Sequence, residues 1–241
     1  MRVLVTRALE DARRTAEDLA GRGHQALVAP LSRIHTLDMR GPDLTDVQGV
    51  IATSSNGVRA FARRCGHRDI RVFAVGGKTA AAARSAGFTD VFSADGDSKA
   101  LATSICKSLT PAAGALLHVA ARRNPGDLHR ELAEAGFECR VWHLYDVVPC
   151  RTLPRRVLDA FRRGVVDAVL VLSPESGRML VDALKDGGVA AECHRVVACW
   201  ISKAAAAKVL DVGFGAIRTA ERPTLDAVLA LLDSGPVSTH R

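Results

Sequence analysis

Short apolar runs rich in β-branched residues alternate with longer segments of helical periodicity along the whole chain. The runs that predict strands are residues 2–6, 26–31, 49–53, 71–75, 90–94, 115–120, 138–145, 167–172, 195–201 and 215–220. Most of the intervening segments are rich in alanine and arginine, carry apolar residues at helical spacing, and several end at Gly-Phe or Gly-His. This alternation is typical of parallel sheets covered by helices, so we expect an α/β fold.

The strand–helix units occur in pairs, but in rotated order. The segments that resemble each other are 3–24 with 116–137, 49–61 with 168–180, and 73–88 with 198–214. Both halves are complete only if the first strand and helix join the C-terminal part. We therefore predict two similar doubly wound, flavodoxin-like domains of five strands each, with boundaries at 1–33 plus 149–241 for the discontinuous domain and 34–148 for the inserted one.

Two extended crossings, near residues 31–37 and 143–150, are expected to join the domains as a two-stranded β hinge. A hinge between two doubly wound domains leaves a cleft. Ligands of such sheets bind at the carboxyl ends of the strands, where helix N-termini direct their N–H groups. We expect the ligand site there. The C-terminal tail, residues 234–241, is predicted to be disordered.

The net charge of the chain indicates the charge of the expected ligand. The formal net charge is +7, which favours an anionic partner. Aromatic residues make up only 4% of the chain and the basic residues are scattered, which argues against a nucleic acid. A small molecule with several carboxylates fits better.

Cysteine, histidine and hydropathy patterns exclude several classes of protein. The six cysteines lack C-x-x-C spacing and the eight histidines lack metal-ligand spacing, so we predict neither a disulfide framework nor a metal site. The chain has no apolar run of about 18 residues, and its first residues become charged too soon for a signal peptide. We expect a cytoplasmic monomer that does not bind a membrane.

Polar, glycine and cationic residues follow the predicted strands at several turns. The candidate binding residues at these turns are Thr6, Arg7, Ser54, Ser55, Asn56, Gly76, Lys78, Thr79, Arg122, Ser173, Pro174, Ser176, Ser202 and Lys203. Hydroxyls and first-turn N–H groups bind carboxylates, and an arginine can bind one through two hydrogen bonds. Each turn taken alone is equally well explained as a helix N-cap.

Sequence motifs for cofactor chemistry are lacking. Gly77-Lys78-Thr79 is not a phosphate-binding P-loop, because Val72 occupies the position of the required first glycine. Zinc-protease, nucleophile-elbow and dinucleotide motifs do not occur either. The residues therefore predict a cofactor-free binder of a poly-anion. Tyr145, the only tyrosine, lies where the chain leaves the inserted domain and is either a proton donor or a packing residue of the hinge.

In order and spacing, several segments resemble the uroporphyrinogen-III synthases of tetrapyrrole biosynthesis. The segments are VLVTR, ATSSNGV, AVGGKTAAAARSAGF, GDSKAL, HLYDVV with Tyr145, and LVLSPESG. The resemblance implies two α/β domains joined by a β-ladder and a cofactor-independent lyase. Linear hydroxymethylbilane would lose its hydroxyl as water, close through a spiro intermediate, and yield uroporphyrinogen III with the last ring inverted. The eight carboxylates of this substrate suit the positive charge.

The resemblance also implies roles for residues. Tyr145 would donate the proton to the departing hydroxyl. The residues at cleft-lining turns, where main-chain N–H groups hold carboxylates, would be Thr6, Ser54, Ser55, Thr79 and Ser173. We add Arg7, Lys78, Arg122 and Lys203 on electrostatic grounds alone.

The chain departs from the family pattern at three positions. Ala8 replaces the usual proline, and Ile201 and Ala204 replace a glycine and a threonine. Two alternatives therefore stay open: a non-catalytic relative that binds or senses tetrapyrroles with the same clamp, and a hinged binder of small anions from another class.

Overall fold

The computed structural model describes residues 1–38, 41–122, 127–206 and 212–233. The tail that is predicted to be disordered, residues 234–241, lies outside these ranges. The chain divides into two units, residues 1–33 with 148–241 and residues 34–147. It passes between them within strand β3 (Ser32–Thr36) and returns within strand β8 (Cys139–Pro149).

The first unit, residues 1–33 and 148–241, contains a five-stranded parallel sheet in the order β2-β1-β9-β10-β11. Its strands are β1 (Arg2–Val5), β2 (Gln25–Val28), β9 (Ala168–Val171), β10 (Val197–Trp200) and β11 (Ala216–Thr219). Its helices are α1 (Leu9–Gly21), α6 (Arg155–Arg162), α7 (Pro174–Asp186), α8 (Lys203–Ala206) and α9 (Leu225–Asp233). A short 3-10 helix covers Ala191–Arg195.

The second unit contains a sheet in the order β3-β8-β7-β4-β5-β6, in which the strands from β8 to β6 pair in parallel. Its further strands are β4 (Val47–Ala52), β5 (Val72–Ala74), β6 (Val91–Ser93) and β7 (Ala115–Ala121). Its helices are α2 (Ser55–Arg64), α3 (Gly77–Ser85), α4 (Ser98–Ser108) and α5 (Leu128–Glu134), with a 3-10 turn at Pro111–Ala113.

The two sheets have the same strand order when the repeated segments are aligned. The order β8-β7-β4-β5-β6 of the second unit matches β2-β1-β9-β10-β11 of the first. The sequence-based expectation of mixed α/β structure with parallel sheets is confirmed. The expectation of five strands in each sheet is wrong for the second unit, whose described residues form six. The sixth is β3, which we predicted as one of the two hinge strands and which forms the edge of this sheet beside β8.

Apolar residues cover both faces of each sheet, as parallel strands between helix layers require. Strand β9 is buried along its whole length, and β7 along all but its last residue. Each unit has two apolar clusters, one on either side of its sheet. Helices α3 and α5 are followed by glycines with left-handed backbone, Gly87 (φ +92°) and Gly136 (φ +87°), which explains why Gly-Phe marks their ends.

Arg68 links the C-terminal ends of α2 and α3. Its guanidinium donates hydrogen bonds to the carbonyl oxygens of Ala62 (2.8 Å) and Ala86 (2.9 Å), and another to the carbonyl of Cys65. The guanidinium carbon also lies 4.9 Å from the ring centre of Phe88. The last carbonyls of a helix lack partners within it, so one side chain satisfies the ends of both helices. The opposite ends of α2 and α3 carry the candidate site.

None of the helices in the described ranges combines the length and the apolar character that crossing a membrane requires.

Candidate active site

Helices α2 and α3 begin at the carboxyl ends of β4 and β5, and these turns hold most of the predicted site residues of the second unit. Ser54 precedes α2 with extended backbone (φ −150°), and its Oγ accepts a hydrogen bond from the N–H of Gly57 (3.1 Å). This is the N-cap that a serine at this position favours. The start of the helix therefore follows from the local run Ser-Ser-Asn-Gly.

Ser54 also forms a hydrogen bond with the hydroxyl of Tyr145, at 2.7 Å between the two oxygens. Tyr145 lies on β8 and is 5% exposed. Strand β7 lies between β4 and β8, so α2 has to pack closely over β7 for the contact to form. Gly57 allows this approach, because a Cβ at that position would lie 2.7 Å from the carbonyl oxygen of Val119.

The surroundings of Tyr145 set the protonation state of its phenol. Burial raises the pKa of Tyr145, while the hydrogen bond with Ser54 and the positive charge of Arg59 act in the opposite direction. Burial is the largest of these effects, so the phenol is protonated at neutral pH. Arg59 is held in place by the side chain of Asn56, whose Oδ1 accepts a hydrogen bond from Nη2 (2.6 Å). The site thus offers a neutral donor whose anion is stabilised by two neighbours.

The turn before α3 exposes backbone. Gly76 is the N-cap in extended conformation (φ −163°), and a Cβ built there would meet nothing within 4 Å. Neither the backbone nor the packing of the described residues requires glycine at this position. Lys78 is exposed beside it. The free space in front of Gly76 leaves room for a ligand to contact the first-turn N–H groups.

Two predicted hydroxyl ligands of these turns face the interior. Ser55 and Thr79 are 7% and 5% exposed. The Oγ of Ser55 donates to the carbonyl oxygen of Lys78 (3.4 Å), and so connects the starts of α2 and α3. Both residues thus stand at the predicted turns with their side chains buried, and a role in ligand binding stays a prediction.

An acidic side chain that we did not anticipate lies beside the α3 turn. A carboxylate oxygen of Asp95 lies 3.5 Å from the position that a Cβ of Gly77 would take, and it accepts a hydrogen bond from Ser93 (2.6 Å). Asp95 has left-handed backbone (φ +49°), a conformation that aspartate tolerates better than most residues. Its negative charge adjoins the turn predicted to bind anions.

The end of β7 adds Arg122 and a buried histidine pair. The N–H of Arg122 donates to the carbonyl oxygen of Tyr145 (3.0 Å), and its side chain is exposed. Thr53 and His118 share a hydrogen bond (3.2 Å), and the other ring nitrogen of His118 is 2.8 Å from Nε2 of His129. We did not predict this group, because the histidines are scattered along the chain without metal-ligand spacing. The available signal was a histidine in the middle of the apolar run ALLHVA.

In the first unit, the strand-end residues after β1 are engaged by their own neighbours. Thr6 is 3% exposed. Arg7 donates to the carboxylate of Asp11 (2.8 Å) and to the hydroxyl of Thr15 (3.1 Å). A ligand carboxylate at Arg7 would have to share the guanidinium with Asp11, and the role of Arg7 in binding stays a prediction.

The turns after β9 and β10 are helix caps. Ser173 and Ser176 form a reciprocal capping box at the start of α7, and Pro174 occupies its first position. Ser202 accepts a hydrogen bond from the N–H of Ala205 (3.2 Å) at the start of α8. Lys203 is exposed. Ser202 therefore supplies a polar cap where Ile201 replaces the glycine of the family pattern.

Comparison with known proteins shows which family this chain belongs to. A sequence profile of the family described as Uroporphyrinogen-III synthase HemD matches residues 13–230. Among curated protein sequences, none matches this chain. Two solved structures show the same fold over nearly the whole length. Uroporphyrinogen-III synthetase from Helicobacter pylori 26695 is 16% identical, with a TM-score of 0.64 over 97% of this chain and 98% of that one.

The second is a mutant uroporphyrinogen III synthase from the extremely thermophilic bacterium Thermus thermophilus. It is 20% identical, with a TM-score of 0.52 over 97% of this chain and 96% of that one. At these identities the structural likeness concerns the fold, whereas the profile match spans most of the sequence. The chain belongs to the uroporphyrinogen-III synthase family, the lyases that cyclise hydroxymethylbilane.

Proposed function

We propose that the protein performs the reaction of its family with Tyr145 as the proton donor. Hydroxymethylbilane loses its hydroxyl as water, closes through a spiro intermediate, and becomes uroporphyrinogen III with the last ring inverted. The observation that carries the role of Tyr145 is its 2.7 Å contact with the capping hydroxyl of Ser54. A buried neutral phenol within β8, hydrogen-bonded to the cap of a neighbouring helix, is a suitable general acid.

Proton transfer from Tyr145 leaves a phenolate, and its neighbours favour this product. The hydroxyl of Ser54 then donates to the phenolate oxygen, and the charge of Arg59 acts on the same group. Ser54 keeps its geometry throughout, because its Oγ also accepts the N–H of Gly57. Asn56 acts indirectly by holding Arg59.

The remaining work of the enzyme is to hold a flexible chain in the folded geometry that permits ring inversion. Without an enzyme the linear substrate closes without inversion, so orientation decides the product. We propose that, in the second unit, substrate carboxylates bind the first-turn N–H groups of α2 and α3, which begin after Ser54 and Gly76. In the first unit, the first turn of α7 after Ser173 is the corresponding candidate for a carboxylate. The net charge of +7 favours a substrate with eight carboxylates.

We assign the exposed cations at these turns to attracting the substrate rather than to binding it tightly. Lys78, Arg122 and Lys203 are exposed, and each belongs to a turn at a strand end. Long exposed cations steer an anionic substrate more than they fix it. We place Thr6, Ser55, Thr79, Pro174, Ser176 and Ser202 as supports of the turns rather than as ligands, and Arg7 as the partner of Asp11.

We propose further that the protein acts as a monomer in the cytoplasm. All six cysteines are free thiols, and Cys65, Cys193 and Cys199 are buried. Burial raises the pKa of Cys193 to about 12 and that of Cys199 to about 11, so these two are inert thiols. This usage suits a reducing compartment. Sedimentation velocity of the purified protein tests the oligomeric state.

A coupled assay tests the function. Hydroxymethylbilane is generated in place by its own synthase, and the products are oxidised and separated as type I and type III uroporphyrin. We expect type III as the main isomer. Type I alone, formed at the rate of the enzyme-free reaction, would refute the proposal and favour a non-catalytic relative that binds tetrapyrroles. Protection against thermal unfolding by simple dicarboxylates, but not by uroporphyrinogen, would favour an unrelated anion binder.

A further inference from the structure

Three side chains form a continuous hydrogen-bonded row from the strand ends of the second unit toward its surface. Thr53 follows β4 and is half-buried, His118 on β7 is 2% exposed, and His129 on α5 is half-buried. The contacts are 3.2 Å from Thr53 Oγ1 to His118 Nε2 and 2.8 Å from His118 Nδ1 to His129 Nε2. Both nitrogens of the buried imidazole are thus used. Thr53 directly precedes Ser54, the residue bonded to Tyr145.

We propose that Thr53, His118 and His129 form a proton relay that connects the candidate active site with solvent. The inference rests on the proposed function, because it assigns a task within that reaction. His118 and His129 act through Thr53, so they are positioning residues and not catalytic ones. Proton relays of this kind need groups that both donate and accept, as hydroxyls and neutral imidazoles do.

The balance of the reaction requires that one proton leave the site in each turnover, and this is the proton that the relay would carry. The substrate equals the product plus water, so one proton is consumed when the hydroxyl leaves and another is released later. In the linear substrate the last ring has a free carbon next to its nitrogen, and in the macrocycle every such carbon carries a bridge. The C–H bond at that carbon therefore breaks, its electron pair restores the aromatic ring, and its proton must leave the site.

Each group of the relay gains one proton and passes on another. Thr53 Oγ receives the proton from the ring carbon and gives its own to Nε2 of His118. The Nδ1 proton of His118 passes to Nε2 of His129, and the Nδ1 proton of His129 passes to water. A proton that enters for the next dehydration travels the opposite way, toward the neighbouring Ser54 and Tyr145. The return passage restores both rings to their starting tautomers.

The electrostatics of the row suit exchange between tautomers rather than storage of charge. Burial, with His129 and His143 close by, lowers the pKa of His118 to about 4. Burial and His143 also lower the pKa of His129. Both rings are therefore neutral at pH 7. His143 lies outside the relay, because its Nδ1 contacts the carbonyl oxygen of Ala121 (2.9 Å). Arg130, the charged neighbour of His129 on α5, pairs with Asp127 (3.3 Å).

Chemical rescue of His129→Ala tests the relay in the full-length protein. We expect the variant to stay folded and to lower kcat about 100-fold or more, the lower end of what proton transfer by a positioned group contributes. Imidazole should restore turnover in proportion to its concentration. 1-Methylimidazole fills the same space but cannot exchange tautomers, and should not restore it. His67→Ala, which removes an exposed histidine elsewhere in the unit, serves as the matched control and should leave kcat unchanged.

A second variant separates proton transfer from packing. His129→Gln keeps a side chain of similar reach with both donor and acceptor, yet it cannot relay a proton between two ring nitrogens. We expect it to stay slow and to show a changed solvent deuterium isotope effect on kcat. Unchanged kcat in both variants, or equal rescue by imidazole and 1-methylimidazole, would overturn the relay. The proposed function would still stand if the wild-type protein produces the type III isomer. If the wild-type protein itself yields only type I, the function fails and the relay with it.

Discussion

The hydroxyls of Tyr145 and Ser54 lie 2.7 Å apart although 91 residues separate them in the chain. The contact joins a capping residue, which fixes the start of α2, to a buried phenol on β8. It exists because β7 lies between β4 and β8 and because Gly57 lets α2 approach β7 closely. The N-cap that orders the turn and the proposed acid are therefore one hydrogen-bonded unit.

Removing the phenol hydroxyl should slow chemistry more than binding. We expect Tyr145→Phe to lower kcat about 100-fold or more, the usual scale for loss of a general acid, with little change in KM. The coupled assay measures both constants. Ser54→Ala is the companion variant, and it should reduce kcat less because Tyr145 remains. Unchanged kcat in Tyr145→Phe would mean that the ring only packs against α2.

A methyl group at Gly76 should affect binding but not folding. Apart from its chain neighbours, no atom of the described residues lies within 4 Å of a Cβ at this position, so the only expected cost of Gly76→Ala is that of a poorer N-cap, about 1 kcal/mol or less in the free energy of unfolding. If substrate approaches the backbone there, KM should rise several-fold. Gly66→Ala is the matched control, because its Cβ would also meet nothing within 4 Å and it lies beyond the other end of α2. Equal KM in both variants would remove Gly76 from the site.

Loss of the Arg68 guanidinium should destabilise the second unit. Arg68→Met keeps the apolar stem but leaves carbonyls at the ends of α2 and α3 without their donor. We expect the free energy of unfolding to fall by about 2 kcal/mol or more, the scale of hydrogen bonds from a charged donor. Urea unfolding measures it. Arg68→Lys should recover only part of the loss, because one ammonium cannot reach both helices; full recovery would show that charge alone is sufficient.

Acid should destabilise the protein through His118. The pKa of this ring is about 4 in the folded protein against an ordinary value of 6.5, mainly because of burial. Between these two values the unfolded chain binds a proton that the folded one does not, so stability falls as pH decreases from 6.5 to 4 and this effect is complete below 4. The shift corresponds to about 3 kcal/mol.

Unfolding of wild type and His118→Gln by urea at about pH 7, 5.5 and 4.5 isolates this effect, since these values span the range over which the ring titrates differently in the two states. We expect wild type to lose more stability than the variant over the range, since glutamine does not titrate. Parallel losses in both proteins would show that His118 is not the group held neutral by the fold.

Local patterns predicted much of the architecture. Apolar runs separated by helical segments indicated the strands of both sheets, and the rotated repeats indicated a shared strand order, which each sheet reproduces independently. Caps were predictable for the same reason: Ser54 and Ser173 bond N–H groups three residues away, and such contacts depend on a few neighbouring residues. Strand β3 was predicted as one of the two hinge strands, but not as a sixth strand of the second sheet, because its sequence does not show which sheet its partner β8 belongs to.

The candidate site was predictable as a set of turns but not as a set of contacts. The local sequence showed which residues lie at strand ends, because the end of an apolar run and the N-cap of the next helix can both be recognised from a few neighbouring residues. Long-range packing was needed to bring Ser54 to Tyr145, to turn Ser55 and Thr79 inward, and to place His118 between Thr53 and His129. Those outcomes depend on how closely helices approach the sheet, and that distance is set by residues such as Gly57 and Val119 that are far apart along the chain.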